Sequence, residues 1–196
     1  MNFINNIYLL IIVASIIFLS CRTQEDDSKN RTAEVNKFDF GQLNPDAPIE
    51  TQLLGQFAGL WAARQSIRQQ DGSWSDQKKS SLWRWYYILD GHAVQDDWIT
   101  MDSLNQQQVV GTNIRIYNAD ENRWYMSWID KTNRKLATFT AINDGDKVIM
   151  DGTNAKGRRV RNTFYNIKPN EFDWKQEWTF DEGNSWVEVT KIHCEK

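Results

Sequence analysis

Three side chains in this sequence could move a proton or hold an anion: His92, Arg115 and Tyr117. An imidazole can act as a base near neutral pH, a phenol as an acid, and a guanidinium as a clamp on a carboxylate. Such a set would suffice for a lyase, dehydratase or isomerase acting on an acidic sugar or a similar small molecule. His92 follows the dipeptide Asp90-Gly91 and has no nucleophile beside it in sequence. A turn histidine bonded to backbone or water is the simpler reading. Arg115 and Tyr117 share one face of an extended segment with Asn113, because alternate residues point the same way. Asp96 and Asp97 point to opposite faces, so at most one looks inward, and a buried carboxylate needs a cation. Arg115 is the candidate partner. Arg159 and Arg161 share a face with Thr163 and Tyr165. They are expected along an outer wall, over aromatic rings. His193, near the C-terminus, is expected to matter only for local stability.

Aromatic residues are the second candidate set. Trp83, Trp85, Tyr87 and Leu89 alternate with Arg84, Tyr86, Ile88 and Asp90. Trp124, Met126 and Trp128 share a face further on, as do Phe172, Trp174, Gln176, Trp178 and Phe180. With ten Trp, nine Phe and six Tyr, core volume is not lacking. Rings that do not fill the core would wall an apolar cavity. A buried Gln176 must find a partner in protein, water or ligand. The residues expected to contact a ligand are Trp83, Trp85, Arg115, Tyr117, Trp124, Trp128, Trp174, Gln176 and Trp178.

Several classes lack their motifs. There is no Cys or His pair at zinc-ligand spacing, no phosphate-cradling glycine loop and no Gly-x-Ser-x-Gly elbow. With two histidines, a three-His metal site is excluded, and no metal or cofactor is expected. A net charge of −3 makes a poor general binder of nucleic acid. The one basic cluster, Lys156-Gly157-Arg158-Arg159-Val160-Arg161, reads as a solvated loop or a patch facing anionic lipid or polysaccharide.

The elements that must position these residues are strands. The alternation predicts strands over 60–69, 81–89, 92–101, 112–117, 123–129, 136–142, 147–151, 160–167, 172–180 and 186–193. A loose polar segment is expected after Asp71-Gly72, and a tight hairpin turn at Asp90-Gly91. Short links imply an all-β antiparallel meander, and closure into an up-and-down barrel of about eight to ten strands would remove its edges. Residues 48–57 carry apolar side chains at short-helix spacing, one or two turns closing an end.

Ahead of the strands, residues 7–19 are apolar except for Ser15. The run is too short to span a bilayer and suits the core of a secretory signal. Phe18-Leu19-Ser20-Cys21 follows and resembles the lipobox of bacterial lipoproteins. That resemblance implies a signal peptide over 1–20, a lipidated Cys21 carrying palmitate-like chains, and attachment to a cell-envelope membrane, facing the periplasm or the cell surface. Residues 21–47 read as a flexible linker and 48–196 as the barrel domain. With Cys21 held as a thioether, Cys194 is a lone apolar thiol.

Gly59-Leu60-Trp61 resembles the Gly-x-Trp that opens the first strand of lipocalins and other calycins. There the Trp packs across the closed end of the barrel. Trp83-Arg84-Trp85, the run 89–96, Gly111 to Tyr117, Arg123-Trp124 and Trp128-Ile129-Asp130 look like a bacterial family of unknown function with a lipocalin-like barrel. The resemblance implies a fold and a cavity, not an activity. Three functions stay open: a tethered monomeric module binding a small apolar or amphipathic molecule, an envelope enzyme, or a structural envelope protein with a filled barrel. A cavity where His92 and Arg115 converge would favour the enzyme, one walled by rings the binder.

Overall fold

Alternating bulky and polar residues, broken by turn-forming Asn, Asp and Gly, build eleven antiparallel strands among the described residues. The computed structural model describes residues 38–76 and 81–196. The signal peptide, Cys21 and the start of the linker expected from sequence lie outside the described residues. The strands are β1 (Gly59–Arg68), β2 (Trp74–Asp76), β3 (Ser81–Ile88), β4 (Ala93–Met101), β5 (Gln107–Asn118) and β6 (Arg123–Asp130), followed by β7 (Leu136–Asp144), β8 (Lys147–Thr153), β9 (Arg159–Lys168), β10 (Glu171–Trp178) and β11 (Val187–Glu195). From β3 onward each strand pairs with the next, and β1 joins β3 on one edge and β11 on the other. Ten strands therefore close into a barrel, with Ala63 opposite both Ser81 and Cys194.

The eleventh strand, β2, corrects the expectation of a loose segment after Gly72. Ser66 pairs with Asp76, so β2 runs along the same edge of β1 as β3. Asp71 folds the connection by accepting from the Ser73 amide and hydroxyl at 2.9 and 2.7 Å, and Lys191 Nζ lies 4.4 Å from the Trp74 ring centre. Three residues are too few to show a strand period.

Register tells which side chains share the interior. Trp83 faces Trp98, Trp85 faces Asp96, Asp96 faces Asn113, and Arg115 faces Met126. The inward set continues through Phe139, Met150, Asn162, Gln176 and Thr190 to Gln65 on β1. Each follows from a period of two.

One end of the barrel is stoppered. The helix α1 (Thr51–Gly55) sends Leu54 inward, and Phe57 follows it, both fully buried. The Phe57 ring meets Trp61, Trp85, Phe164 and Phe172 at 4.5–6.3 Å between centres. Trp61 Nε1 donates to the Phe57 carbonyl at 2.6 Å, which ties the start of β1 to the stopper. Cys194 is a buried free thiol on the same inner wall, and burial pushes its proton affinity up.

The β3–β4 connection is wider than the tight turn expected. Ile88 pairs with Ala93, and Leu89, Asp90 and Gly91 all adopt positive φ (51°, 50° and 86°). Leu89 therefore leaves the strand face and stands exposed. Residues 40–47 belong to the same compact unit as the barrel. The Phe40 carbonyl accepts from Tyr87 N–H at 2.8 Å, and Asn44 Nδ2 donates to the Asp90 carbonyl at 2.8 Å.

Gly91 is the tight point of this packing, since a Cβ there would sit 2.3 Å from the Gln42 carbonyl oxygen. Gly91→Ala is expected to cost about 2–4 kcal/mol in urea unfolding, from strain plus clash. Gly145→Ala, at φ +66° with nothing within 4 Å, should cost only about 1 kcal/mol. Equal costs would contradict the packing described for residues 42–44.

Candidate functional site

Beyond the stopper the barrel is hollow. A cavity of about 970 Å³ opens at the opposite end, where the β6–β7, β8–β9 and β10–β11 connections form a rim. Five indoles wall it, those of Trp83, Trp98, Trp128, Trp174 and Trp178, with Phe139, Met150 and Ile192.

Its floor is polar. Asp96 is fully buried and faces inward from β4. Trp83 Nε1 donates to its Oδ1 at 2.5 Å, and Arg115 Nη1 closes an ion pair on its Oδ2. The Asn113 amide completes the group, its oxygen accepting from Arg115 Nη2 at 2.8 Å and its nitrogen donating to the Ser127 carbonyl at 3.0 Å. Beneath, the Arg115 guanidinium carbon lies 4.3 Å from the Trp85 ring centre. Burial pulls the Arg115 proton affinity well below that of a free arginine. The adjacent carboxylate and the indole face hold the charge in place. Arg115 Nε has no partner.

Higher on the wall, Gln176 Nε2 donates to Asn162 Oδ1 at 3.1 Å, and Trp178 Nε1 donates to Gln176 Oε1 at 3.0 Å. Gln176 thus finds its partners within the wall. At the rim Asp130 accepts from Trp128 Nε1, the Thr132 and Asn133 amides and Asn133 Nδ2 at 2.7–3.0 Å. These bonds hold its carboxyl below the usual range against the opposing effect of burial. Asp181 organises the β10–β11 connection through Ser185 and Thr179, which bring its carboxyl down to about 2.

The structure sorts the residues named from sequence by height as well as by face. Trp83, Arg115, Trp128, Trp174, Gln176 and Trp178 line the cavity. Trp85 and Trp124 point inward but are fully buried below it, each with an unpartnered Nε1. Tyr117 lies further still toward the α1 end, its hydroxyl donating to Asn122 Oδ1 at 2.5 Å. There it borders a separate depression with Ile49, Gln52 and Trp124. Its phenol is raised by burial and then by the Glu50 carboxylate. His92 follows the β3–β4 turn, its amide bonded to the Leu89 carbonyl at 3.0 Å, and lines neither space. His92, Arg115 and Tyr117 therefore do not converge.

Phe180 corrects the expectation for β10, which ends at Trp178. Thr179 begins the rim connection, and Phe180 is 68% exposed at the mouth. Arg161 lies on the outer wall, paired to Asp151 at 2.8 Å and 4.3 Å from the Trp186 ring centre. Asp97 also faces outward. It is covered by Arg84 at 2.6 Å and accepts from the Tyr86 hydroxyl at 3.3 Å, and burial together with its charge pushes Tyr86 up to about 12. His193 pairs with Asp173 at 2.8 Å. Trp98 and Asn162 were not singled out from sequence. Trp98 was reachable, because it stands two residues from Asp96 on the same face.

Among the described residues no group of three or more His, Cys, Asp or Glu is placed to hold a metal ion. Nor is any helix among them long and apolar enough to cross a membrane.

Fold and site define a closed ten-stranded antiparallel barrel with one extra strand, a short helical stopper and a one-ended aromatic cavity. The fold is shared with the S-type phycobiliprotein lyase CPES from Guillardia theta, at TM-score 0.51 and 9% identity, over 74% of this chain and 90% of that one. It is shared too with Rv2717c from M. tuberculosis, at TM-score 0.50 and 10% identity, over 77% of this chain and 99% of that one. No protein-family model and no curated sequence matches the chain.

Removing one partner of the floor strands the other in a low dielectric. Asp96→Asn is expected to lose about 3–5 kcal/mol in urea unfolding, and the double variant Asp96→Asn, Arg115→Met to recover a substantial part. Additive losses would show that the two side chains do not depend on each other.

Proposed function

We propose that this chain is a membrane-tethered, lipocalin-like barrel that binds one small apolar or amphipathic molecule in its indole-walled cavity. The observation that carries the reading is the coexistence of a filled end and a hollow end in one barrel. A structural barrel has no use for a space of about 970 Å³ walled by five indoles. That volume falls among small-molecule sites, in which apolar walls carry a few placed polar groups. The indole N–H groups of Trp98 and Trp174 have no hydrogen-bond partner in the protein, so they are free to serve a bound molecule. The tether is supported by the apolar run 7–19 and the lipobox-like Phe18-Leu19-Ser20-Cys21. Lipid on Cys21 would hold the barrel at a surface without spanning it.

Binding is read with 1-pyrenebutanol, whose absorption overlaps indole emission. Titration should quench the tryptophan emission saturably at one site. Two filling variants on different walls, Thr190→Phe and Ala137→Leu, should stay folded by circular dichroism and lose at least about tenfold in affinity. No quenching in the native chain, or quenching indifferent to both folded variants, would overturn the reading.

The tether is read separately. Expressed in a bacterial host with an alkyne-tagged palmitate, the full chain should take up label and sediment with membranes, and Cys21→Ser should do neither. Label that persists in Cys21→Ser would rule out lipidation at that residue.

A further inference from the structure

We infer, resting on the ligand-site reading above, that the molecule bound is an amphiphile with an anionic head, and that Arg158 receives that head at the mouth. Four described arginines are buried or half-buried: Arg84, Arg115, Arg158 and Arg161. Three of them are neutralised by a carboxylate, Arg84 by Asp97, Arg115 by Asp96 and Arg161 by Asp151. Arg158 is not. Its guanidinium rests over Trp178 and Phe180, 4.7 and 4.6 Å from their ring centres, and forms no ion pair or side-chain hydrogen bond.

Arg158 is also held in place. Asn154 Oδ1 accepts from the amides of Lys156 and Arg158, both at 3.0 Å, and Asn154 N–H donates to the Arg158 carbonyl at 2.9 Å. The β8–β9 connection is therefore a fixed loop, with Arg158 among the residues that line the cavity. A guanidinium pinned over two rings keeps its planar edge of donors open, the geometry that takes a carboxylate in two bonds. Lys156 and Arg159 line the same mouth. Against these three cations stand Asp130, already bonded within its own loop, and Glu182.

The interior agrees in sign. Most of its acceptors are engaged, among them both Asp96 oxygens and the amide oxygens of Asn113, Asn162 and Gln176. Two unspent donors face it, the indole N–H of Trp98 and Trp174, beside the Gln65 amide and the Thr190 hydroxyl, which can either donate or accept. A molecule entering here meets donors, rings and, at the mouth, positive charge.

The test is a matched pair differing only in the head group, 1-pyrenebutanoate and 1-pyrenebutanol, titrated into the native chain and into Arg158→Gln. The native chain should bind the acid about tenfold tighter than the alcohol at low ionic strength. Arg158→Gln should remove that gap by weakening the acid alone, and Arg158→Lys should restore part of it, because charge returns without the fork. Equal affinity for acid and alcohol in the native chain overturns the head-group inference while leaving the ligand site standing. So does an Arg158→Gln variant that weakens both equally, since the arginine would then act only as packing over Trp178. Failure of both probes to bind removes the ligand site itself, and the inference with it.

Discussion

A charge pair buried at mid-height, Asp96 with Arg115, sets the plan of this barrel. Neither group is tolerable there alone, because an unpaired ion in a low dielectric costs several kcal/mol. Together with Trp83 and Asn113 they form a closed polar layer resting on the Trp85 ring. Three neighbouring strands, β3, β4 and β5, must hold register for the layer to exist. A slip of β4 by two residues would keep every face yet carry Asp96 about 7 Å along the barrel, out of reach of the Arg115 guanidinium. The layer is thus a register pin as well as a floor.

On either side of that floor the same kind of residue does different work. Below it, Phe57, Trp61, Trp85, Phe164 and Phe172 are packed ring on ring and closed by α1. Above it, Trp98, Trp174 and Trp178 have no stopper to pack against, and their rings border open space. Trp83 belongs to both regions. It lies 5.2 Å from Trp85 and 6.1 Å from Trp174 between ring centres, and its N–H is fixed by Asp96. The difference between core and site goes with the position of one short helix, which closes one end and leaves the other open.

Much of this could be read from the sequence, because strand alternation assigns each side chain a face. That Asp96 and Asp97 take opposite faces and that Trp174 and Gln176 share one follow from a period of two, and the outer-wall place of Arg161 follows from the rarity of buried arginine. Height along the barrel does not. Tyr117 shares a face with Arg115, yet it sits toward the stopper, because two residues of β5 carry it past the floor. Trp85 and Trp124 are displaced from the cavity for the same reason. Strand tilt and register decide height, and both are set by pairings far apart in sequence. Loop residues were equally hidden. Arg158 reads as part of a solvated basic run until Trp178 and Phe180 come beneath it from another hairpin.

Hydrogen exchange at the indole N–H groups, resolved by NMR on the whole chain, tests the division into a packed half and a hollow half most directly. Solvent reaches a cavity wall but not a stoppered core. The account predicts fast exchange at Trp98 and Trp174, and slow exchange at Trp61, Trp83 and Trp85. Protection of Trp98 and Trp174 as strong as that of Trp85, in the chain free of ligand, would mean that the interior is filled throughout.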